Sequence, residues 1–155
     1  MVEFKTVARN RRAKFEYDLS EGLEAGIELV GTEVKSVRAG KVSLAEAWVM
    51  ITDAGEAILK QARIENYEFG NRFNHDPLRE RRLLLHRKQI VHLGRKCAAE
   101  GYSIVPTQMY LKGGRVKVTI ALGKGKKLHD KREAIKRRDA DRSAQEAMKR
   151  AQRHK

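Results

Sequence analysis

Residues 102–122 read YSIVPTQMYLKGGRVKVTIAL, and this stretch decides the fold of the 155-residue chain. Gly113-Gly114 supplies the positive φ angles that a tight two-residue turn between antiparallel strands requires. After the turn, large apolar side chains at positions 116, 118, 120 and 122 alternate with residues 115, 117, 119 and 121. Because neighbouring side chains of a strand point to opposite faces, the pattern predicts a hairpin with one core face and one solvated, basic face.

Shorter strand patterns extend from this hairpin toward the N-terminus. Strands are predicted over residues 15–19, 23–30, 47–52 and 57–64, and the last two form a hairpin around Asp53-Ala54-Gly55. Ser20-Glu21-Gly22 is expected to break the first strand, and Gly26 to mark a bulge or bend in the second.

Two helices are predicted between the strands. The first begins at Gly31-Thr32, with Thr32 as its cap, and ends at Gly40. The second covers residues 87–100, where Ile90, Leu93 and Cys97 form an apolar stripe and Gly101 provides the stop.

These elements predict a mainly β fold. About six strand segments, two or three short helices and no alternating βαβ rhythm favour a small antiparallel barrel with two or three flanking helices. Among small barrels the oligonucleotide-binding type is favoured because of the charge. Residues 1–122 are predicted as one RNA-binding barrel domain, in which residues 1–14 are a basic N-terminal lead.

The last 33 residues, 123–155, carry much of the charge. They hold 13 Lys and Arg against 5 Asp and Glu, a net of +8 out of +14 for the whole chain. They contain no aromatic residue, and Leu128, Ile135 and Met148 are their only large apolar side chains. Such a segment cannot bury enough apolar surface to offset the entropy of ordering it. A basic tail that is disordered alone and becomes helical on a polyanion is therefore predicted.

The composition predicts nucleic acid as the partner and the cytoplasm as the location. A net charge of +14 indicates a polyanionic partner. Cys97 is the only cysteine, so no intramolecular disulfide forms. No apolar run approaches the ~20 residues of a membrane span, and the N-terminus lacks the apolar stretch of a signal peptide.

The sequence contains only weak signals for catalysis or for a metal site. His75-Asp76 and His129-Asp130 are the visible acid–base candidates, but adjacency in sequence does not bring two side chains together. The spacing of His86, His92 and Cys97 matches neither a helical ligand pair nor a zinc knuckle. The chain is therefore predicted to have no enzymatic activity, no metal and no cofactor.

Basic side chains recur along the chain in a way that favours phosphate contacts. They cluster at residues 9–14, 35–41, 79–88 and 112–132. The aromatic loop at Tyr67, Phe69 and Phe73 leaves two readings open, stacking of RNA bases or attachment of the loop to its own barrel. The RNA-binding candidates from these basic clusters and from the start of the tail are Arg11, Arg12, Lys35, Arg38, Lys124, Gly125, Lys126 and Lys127.

Several long motifs, in the right order, make the chain resemble a known family. They are EAGI (24–27), GTEVKSVRAGK (31–41), YEFGNRFNHDP (67–77), RLLLH (82–86) and GKGKKLHDKR (123–132). Over roughly residues 8–140 the chain resembles small protein B, the family of bacterial tmRNA-binding (SsrA-binding) proteins. Gly123 stands where Ala is usual in that family, and it is expected to loosen a hinge between barrel and tail.

The resemblance implies an oligonucleotide-binding-type barrel that acts without catalysis in trans-translation, the rescue of stalled ribosomes. It implies that Asn10, Glu24, Leu84 and His86 contact the tRNA-like domain of tmRNA. The tail is then expected to act in the decoding centre and the empty mRNA channel of the 30S/70S ribosome. The residues implied to contact decoding-site rRNA are His129, Asp130, Lys131 and Arg132.

Two other functions remain open on the sequence alone. One is a generic basic rRNA-binding or ribosomal protein, whose barrel and tail stay buried in rRNA. The other is an RNA-processing enzyme that uses His75-Asp76 or His129-Asp130.

Overall fold

The computed structural model describes residues 4–70, 74–126 and 142. The chain divides into two units, Met1–Lys124 and Gly125–Lys155. The predictions for Phe73, Lys127, residues 129–132 and a helix in the second half of the tail lie outside the described residues. The elements below belong to the first unit, apart from the last residue of the final strand.

Nine strands and three helices occur among the described residues, and the prediction of a mainly β fold is confirmed. The strands are β1 Phe4–Arg9, β2 Tyr17–Ile27, β3 Val42–Ser43, β4 Trp48–Ile51, β5 Ala57–Lys60, β6 Arg63–Ile64, β7 Arg81–Leu84, β8 Ser103–Lys112 and β9 Arg115–Gly125. The helices are α1 Arg11–Glu16, α2 Gly31–Arg38 and α3 Arg87–Glu100.

Six of these strands close into a ring, so the predicted antiparallel barrel is confirmed. Their order is β8-β4-β5-β7-β2-β9, and β9 pairs back with β8. Ring closure matters because a closed sheet leaves no unpaired edge strand. β1 attaches to β8, while β3 and β6 form a separate two-stranded sheet.

The β8–β9 hairpin forms as predicted and organises the barrel. Gly113 and Gly114 have φ angles of 58° and 80°, which supply the left-handed turn. The pairing register shifts between Pro106 and Gln108, which marks a bulge. Residues before the bulge pair with β4 and those after it with β1. Because proline cannot donate to a ladder, this bulge is a suitable place for the strand to change partners.

The interior of the barrel is filled by apolar side chains from the alternating positions. Val118, Ile120 and Leu122 of β9 are all buried, as the period-2 pattern predicts, but Ala121, on the face predicted to be solvated, is buried as well. Leu93 is the fully buried residue of α3 and anchors that helix on the core. Full burial of such a side chain contributes about 1.5–3 kcal/mol to stability. Because Leu93 belongs to the same buried cluster as the residues of β9, the ring and α3 share one apolar core.

The prediction for the N-terminal region was wrong. Phe15 and Glu16 end helix α1, and the strand begins only at Tyr17. Residues 20–22 do not break this strand. Glu21 adopts a positive φ of 52°, but β2 continues through it to Ile27. The stretch 1–14, predicted as a basic lead, contains β1 and most of α1. Its pairing with β8 joins residues about 100 positions apart, which local patterns do not reveal.

The bounds of α3 and its stop are confirmed, whereas the cap of α2 is not the predicted one. Gly101 ends α3 with a φ of 70°. At α2 the Val30 amide donates to the carboxylate of Glu33 at 2.9 Å. The hydroxyl of Thr32 instead lies 2.9 Å from Nδ1 of His75.

Gly123 lies inside a strand, so the expected loose hinge at this residue is wrong. It is buried in β9 and pairs with Ser103. A Cβ at this position would lie 2.9 Å from Cβ of Tyr17, so the missing side chain permits close packing. β9 continues to Gly125, beyond the predicted barrel boundary at residue 122.

Candidate nucleic-acid interface

Three of the four residues implied by the motifs line one groove on the barrel. Glu24, Leu84 and His86 come from β2, β7 and the residue before α3, and together they border a cavity of about 430 Å³. We call it the β2–β7 groove. Its other lining residues are Gly26, Gly55, Glu56, Ala57, Arg82, Leu83, Leu85, Gln89, Ile90 and Lys117.

The pairing of β2 with β7 determines which side chains face the groove. Gly26 pairs with Leu84 and Ile27 with Leu83. Leu83 is buried in the core, whereas Leu84 points outward and is 48% exposed. A Cβ on Gly26 would lie 3.2 Å from that of Leu84, so the glycine leaves room for the leucine. The groove therefore presents an apolar contact that a ribose or a base face can cover.

His86 lies at the start of a long helix, where anions are favoured. It is exposed, and it is the N-cap residue of α3. Its backbone N–H donates to Oε1 of Gln89 at 2.9 Å. The free N–H groups and the dipole of a helix N-terminus favour a phosphate nearby, which an RNA backbone supplies.

Glu24 is held ionised by two partners from β8. The hydroxyl of Tyr110 donates a hydrogen bond to its Oε2, and Nζ of Lys112 lies 3.4 Å away. The hydrogen bond from Tyr110 is the largest cause that lowers the pKa of Glu24, with the lysines adding to it. Burial, followed by the hydrogen bond to Glu24, raises the pKa of Tyr110 to about 12. An ionised carboxylate only accepts hydrogen bonds, so Glu24 suits a base amine or a ribose hydroxyl.

Replacing Tyr110 by Phe is expected to raise the pKa of Glu24 toward its usual value. The substitution removes the hydrogen bond that favours the charged form of the carboxylate. A pH titration followed by NMR of the Glu24 side chain measures this directly. Tyr102→Phe is the control, since Tyr102 contacts Lys96 and Lys124 instead. An unchanged Glu24 titration in Tyr110→Phe would contradict the assignment of Tyr110 as the main cause of the lowered Glu24 pKa.

Asn10 has a structural position that differs from the other three. It is 5% exposed. Its Nδ2 donates to the carbonyl of Pro106 at 2.8 Å, and its Oδ1 accepts from the Ala13 amide at 3.1 Å. Asn10 thus caps α1 and ties it to the bulge in β8. Its direct contact with RNA stays a prediction, but its side-chain groups are already engaged in placing α1.

The basic candidates lie on other parts of the surface. Arg11 is exposed on α1, whereas Arg12 pairs with Glu16 at 2.8 Å and with Glu46. These carboxylates raise the pKa of Arg12, the hydrogen bond to Glu16 contributing most. Nζ of Lys124 lies 5.0 Å from the ring centroid of Tyr102. Lys35, Arg38, Lys124 and Gly125 are exposed, and Lys126 is half-buried.

The structure gives His75 and Asp76 structural positions instead of acid–base ones. His75 is 8% exposed, and its Nε2 donates to the carbonyl of Ile64 at 2.8 Å while Nδ1 meets Thr32. Oδ1 of Asp76 accepts from the Leu78 amide at 2.9 Å, as expected of a turn former. The pair therefore holds the end of the 65–77 loop.

The other chemical candidates are also engaged in contacts within the fold. His92 bonds Glu21 at 3.1 Å, and burial raises the pKa of Cys97, which packs against the core. In residues 4–70, 74–126 and 142, no cluster of three or more His, Cys, Asp or Glu is placed to bind a metal. No helix in the described part of the chain is both long and apolar enough to cross a membrane.

Sequence reasoning missed the residues that surround Glu24. Tyr110 and Lys112 come from β8, 86 and 88 positions away, and no local pattern connects them to Glu24. Arg82 and Lys117 were recognised only as parts of basic or solvated faces, but both line the β2–β7 groove. The alternating pattern of the β8–β9 hairpin was the sequence signal that came nearest to identifying these residues. It predicts the antiparallel pairing of the two strands, in which Tyr110 lies opposite Lys117.

Comparison with known proteins finds similarity over nearly the whole chain. A family model described as SmpB protein matches residues 7–150. An SsrA-binding protein from Shouchella clausii (strain KSM-K16) is 51% identical over 148 residues, covering 96% of this chain and 94% of that relative. One from Trichormus variabilis (strain ATCC 29413 / PCC 7937) is 53% identical over 147 residues, covering 94% of each.

A solved structure agrees with the sequence relatives. It is described as "tmRNA-SmpB: a journey to the center of the bacterial ribosome". Its chain superposes with a TM-score of 0.67 at 41% identity, over 82% of this chain and 92% of that one. The barrel described above is therefore shared with a solved relative.

Proposed function

The chain belongs to the SmpB protein family, and from that premise we propose that it binds the tRNA-like domain of tmRNA and delivers it to stalled ribosomes. The relatives are named SsrA-binding proteins, and the similar solved structure concerns tmRNA-SmpB and the bacterial ribosome. In this proposal the protein is an RNA-binding adaptor in trans-translation, and it acts in the cytoplasm without catalysing a reaction.

The convergence of Glu24, Leu84 and His86 on the β2–β7 groove is the observation that carries this proposal. The three residues lie up to 62 positions apart in the chain, yet they border one cavity. They offer an ionised acceptor, an apolar contact and a helix N-terminus within one site. Lys117 adds positive charge that lowers the pKa of Glu24, and Arg82, which pairs with Glu28 at 3.6 Å, lines the same groove. This combination suits a folded RNA whose bases, riboses and phosphates are read together.

The decisive experiment is competition binding at physiological salt. A labelled tRNA-like domain of tmRNA faces excess ordinary tRNA and excess duplex RNA. Non-specific phosphate binding weakens steeply with salt, so a surviving preference reports recognition of the RNA itself. Equal, salt-sensitive binding to all three RNAs would contradict the proposal and favour a generic rRNA-binding protein.

Glu24→Ala is expected to weaken binding of the tRNA-like domain by about 10- to 100-fold while changing duplex RNA binding little. A hydrogen bond to a charged group contributes about 1.5–3 kcal/mol, and 1.4 kcal/mol is tenfold in affinity. The matched control is Glu80→Ala, because Glu80 pairs with Lys60 at 3.4 Å, as Glu24 does with Lys112. Equal changes on both RNAs would show that only net charge had been altered.

A further inference from the structure

The loop after β6 presents an aromatic side chain that the β2–β7 groove does not use. Phe69 is 72% exposed, the largest fraction among the exposed large apolar side chains of the described residues. Its ring meets that of Tyr67 edge-on, with centroids 5.6 Å apart and planes at 70°. Nζ of Lys35, on α2, lies 5.1 Å from the centroid of the Tyr67 ring.

A side-chain clamp holds the backbone beneath these rings. Oδ1 of Asn74 accepts from the Tyr67 amide at 2.9 Å, and its Nδ2 donates to the Tyr67 carbonyl at 2.6 Å. A Cβ at Gly70 would lie 2.7 Å from Nδ2 of Asn74, so the backbone passes close to the clamp. The exposed position of Phe69 is therefore supported by specific contacts on its own loop.

A buried polar network fastens the same loop to α2 and β7. The guanidinium of Arg81 donates to the carbonyls of Ala62 and Pro77 and to the carboxylate of Glu33. Arg81 and Glu33 are both fully buried. A buried ion pair of this kind is often no more stabilising than apolar residues of the same volume. The buried pair of Arg81 and Glu33 is accounted for if it fixes the position of the loop that displays Phe69.

The surroundings of the loop carry positive charge. Lys35, Arg38 and Lys41 are exposed on and after α2. The carbonyl of Lys41 accepts from the Glu65 amide at 3.0 Å, which places this basic edge beside the start of the loop. Two carboxylates, Glu65 and Glu68, also lie on the loop, and Arg63 already pairs with Glu65 at 2.6 Å. An exposed aromatic ring bordered by cations is the combination that binds unpaired nucleotides.

We propose that Tyr67, Phe69 and Lys35 form a second RNA-binding site, the aromatic platform, on which Phe69 stacks an unpaired base of ribosomal RNA. Lys35 and Arg38 then contact the phosphates that flank this base. The platform residues do not line the β2–β7 groove. The inference rests on the proposed function, because an adaptor must hold tmRNA and the ribosome at the same time.

The test measures binding of full-length variants to purified 30S subunits and, separately, to the tRNA-like domain. Phe69→Ala is expected to weaken 30S binding at least about fivefold, the lower end for loss of one stacked base. Phe69→Leu should lose as much, since Leu is apolar but has no π face, and Phe69→Trp should bind within about twofold of the wild type. Val91→Ala truncates a side chain that is 43% exposed on α3, and as the control it should change neither binding.

The outcomes separate this inference from the proposed function. Wild-type 30S binding by Phe69→Ala would overturn the platform, and full binding by Phe69→Leu would indicate an apolar contact with a protein instead. A matching loss on the tRNA-like domain would assign Phe69 to the tmRNA site. Failure of the wild type to prefer the tRNA-like domain would remove the proposed function itself. Because Phe69 is exposed, unfolding midpoints should not change, so a loss of binding reports the missing contact.

Discussion

Glu33→Gln is expected to lower the free energy of unfolding by about 3–5 kcal/mol, the largest stability effect that the structure indicates. The change keeps the shape of the side chain but removes its charge. Arg81, which is fully buried and bonded to Glu33 at 2.5 Å, then loses its ion-pair partner, while the repulsion from Arg79 remains and Asp76 contributes a smaller attraction. Total stability of a domain is typically about 5–15 kcal/mol, so a large share is lost. Urea unfolding, with an unchanged dependence on denaturant, measures the effect.

Two comparisons show whether the unpaired charge is the cause. Glu33→Gln combined with Arg81→Met removes both buried charges and should recover part of the loss. Glu80→Ala breaks the ion pair between the exposed Glu80 and the half-buried Lys60 and should cost less than about 1 kcal/mol. A double variant that is less stable than Glu33→Gln alone would indicate that the hydrogen bonds of Arg81 to the loop carbonyls matter more than the charge.

The same carboxylate contributes to the pH dependence of stability. Burial raises the pKa of Glu33, but hydrogen bonds from Arg79, the Val30 amide and Arg81 outweigh it, and the net pKa lies below the usual 4.5. A group whose folded pKa is lowered contributes stability above its unfolded pKa, and this contribution disappears as the pH falls through the folded value. The wild type should therefore lose stability below about pH 4.5, and Glu33→Gln should lose less over that range.

Removal of residues 127–155 is expected to abolish trans-translation on stalled ribosomes, an activity called tagging below. The preference of the protein for the tRNA-like domain should remain. The tail is implied, by family resemblance, to act in the decoding centre and the mRNA channel. The cut is placed after Lys126 because β9 continues to Gly125, and a cut at residue 122 would shorten a barrel strand. A reconstituted trans-translation assay measures tagging, and the competition assay measures RNA preference. Substantial tagging by the truncated chain would contradict the assigned role of the tail.

A scrambled tail separates sequence from charge. Permuting residues 127–155 keeps composition and net charge but moves His129-Asp130-Lys131-Arg132 away from the barrel. If those residues contact decoding-site rRNA, the scrambled chain should tag no better than the truncated one. Full tagging by the scrambled chain would show that positive charge alone is sufficient.

Much of the architecture could be predicted because it depends on contacts close in sequence. The turn at Gly113-Gly114, the stop at Gly101 and the bounds of α3 follow from residues within one or two turns of chain. The strand Arg81–Leu84 was missed, since Leu83 and Leu84 read locally as part of an apolar run before the helix. In the folded strand Leu83 faces the core and Leu84 faces the groove. This arrangement appears only when β2 and β5 pair with β7.

The candidate site was predictable only where family motifs identified it. The motifs pointed to Glu24, Leu84 and His86, and the structure places all three in the β2–β7 groove. Asn10 was implied by the same family resemblance, but it is 5% exposed and its side chain bonds Pro106 and Ala13. A motif records which residue types recur, whereas exposure depends on what the rest of the chain packs over them.

The sequence by itself determined the charge, the hairpins, the longest helix and the family of this protein, because each follows from composition or from neighbouring residues. Only the tertiary structure decided how Glu24 is held, why His75 is buried and what fastens the 65–77 loop. Tyr110 reaches Glu24 across 86 positions, and Arg81 reaches Glu33 across 48. Such contacts arise when the barrel closes and distant strands pair, and no local propensity encodes which partner a buried or half-buried charge will meet.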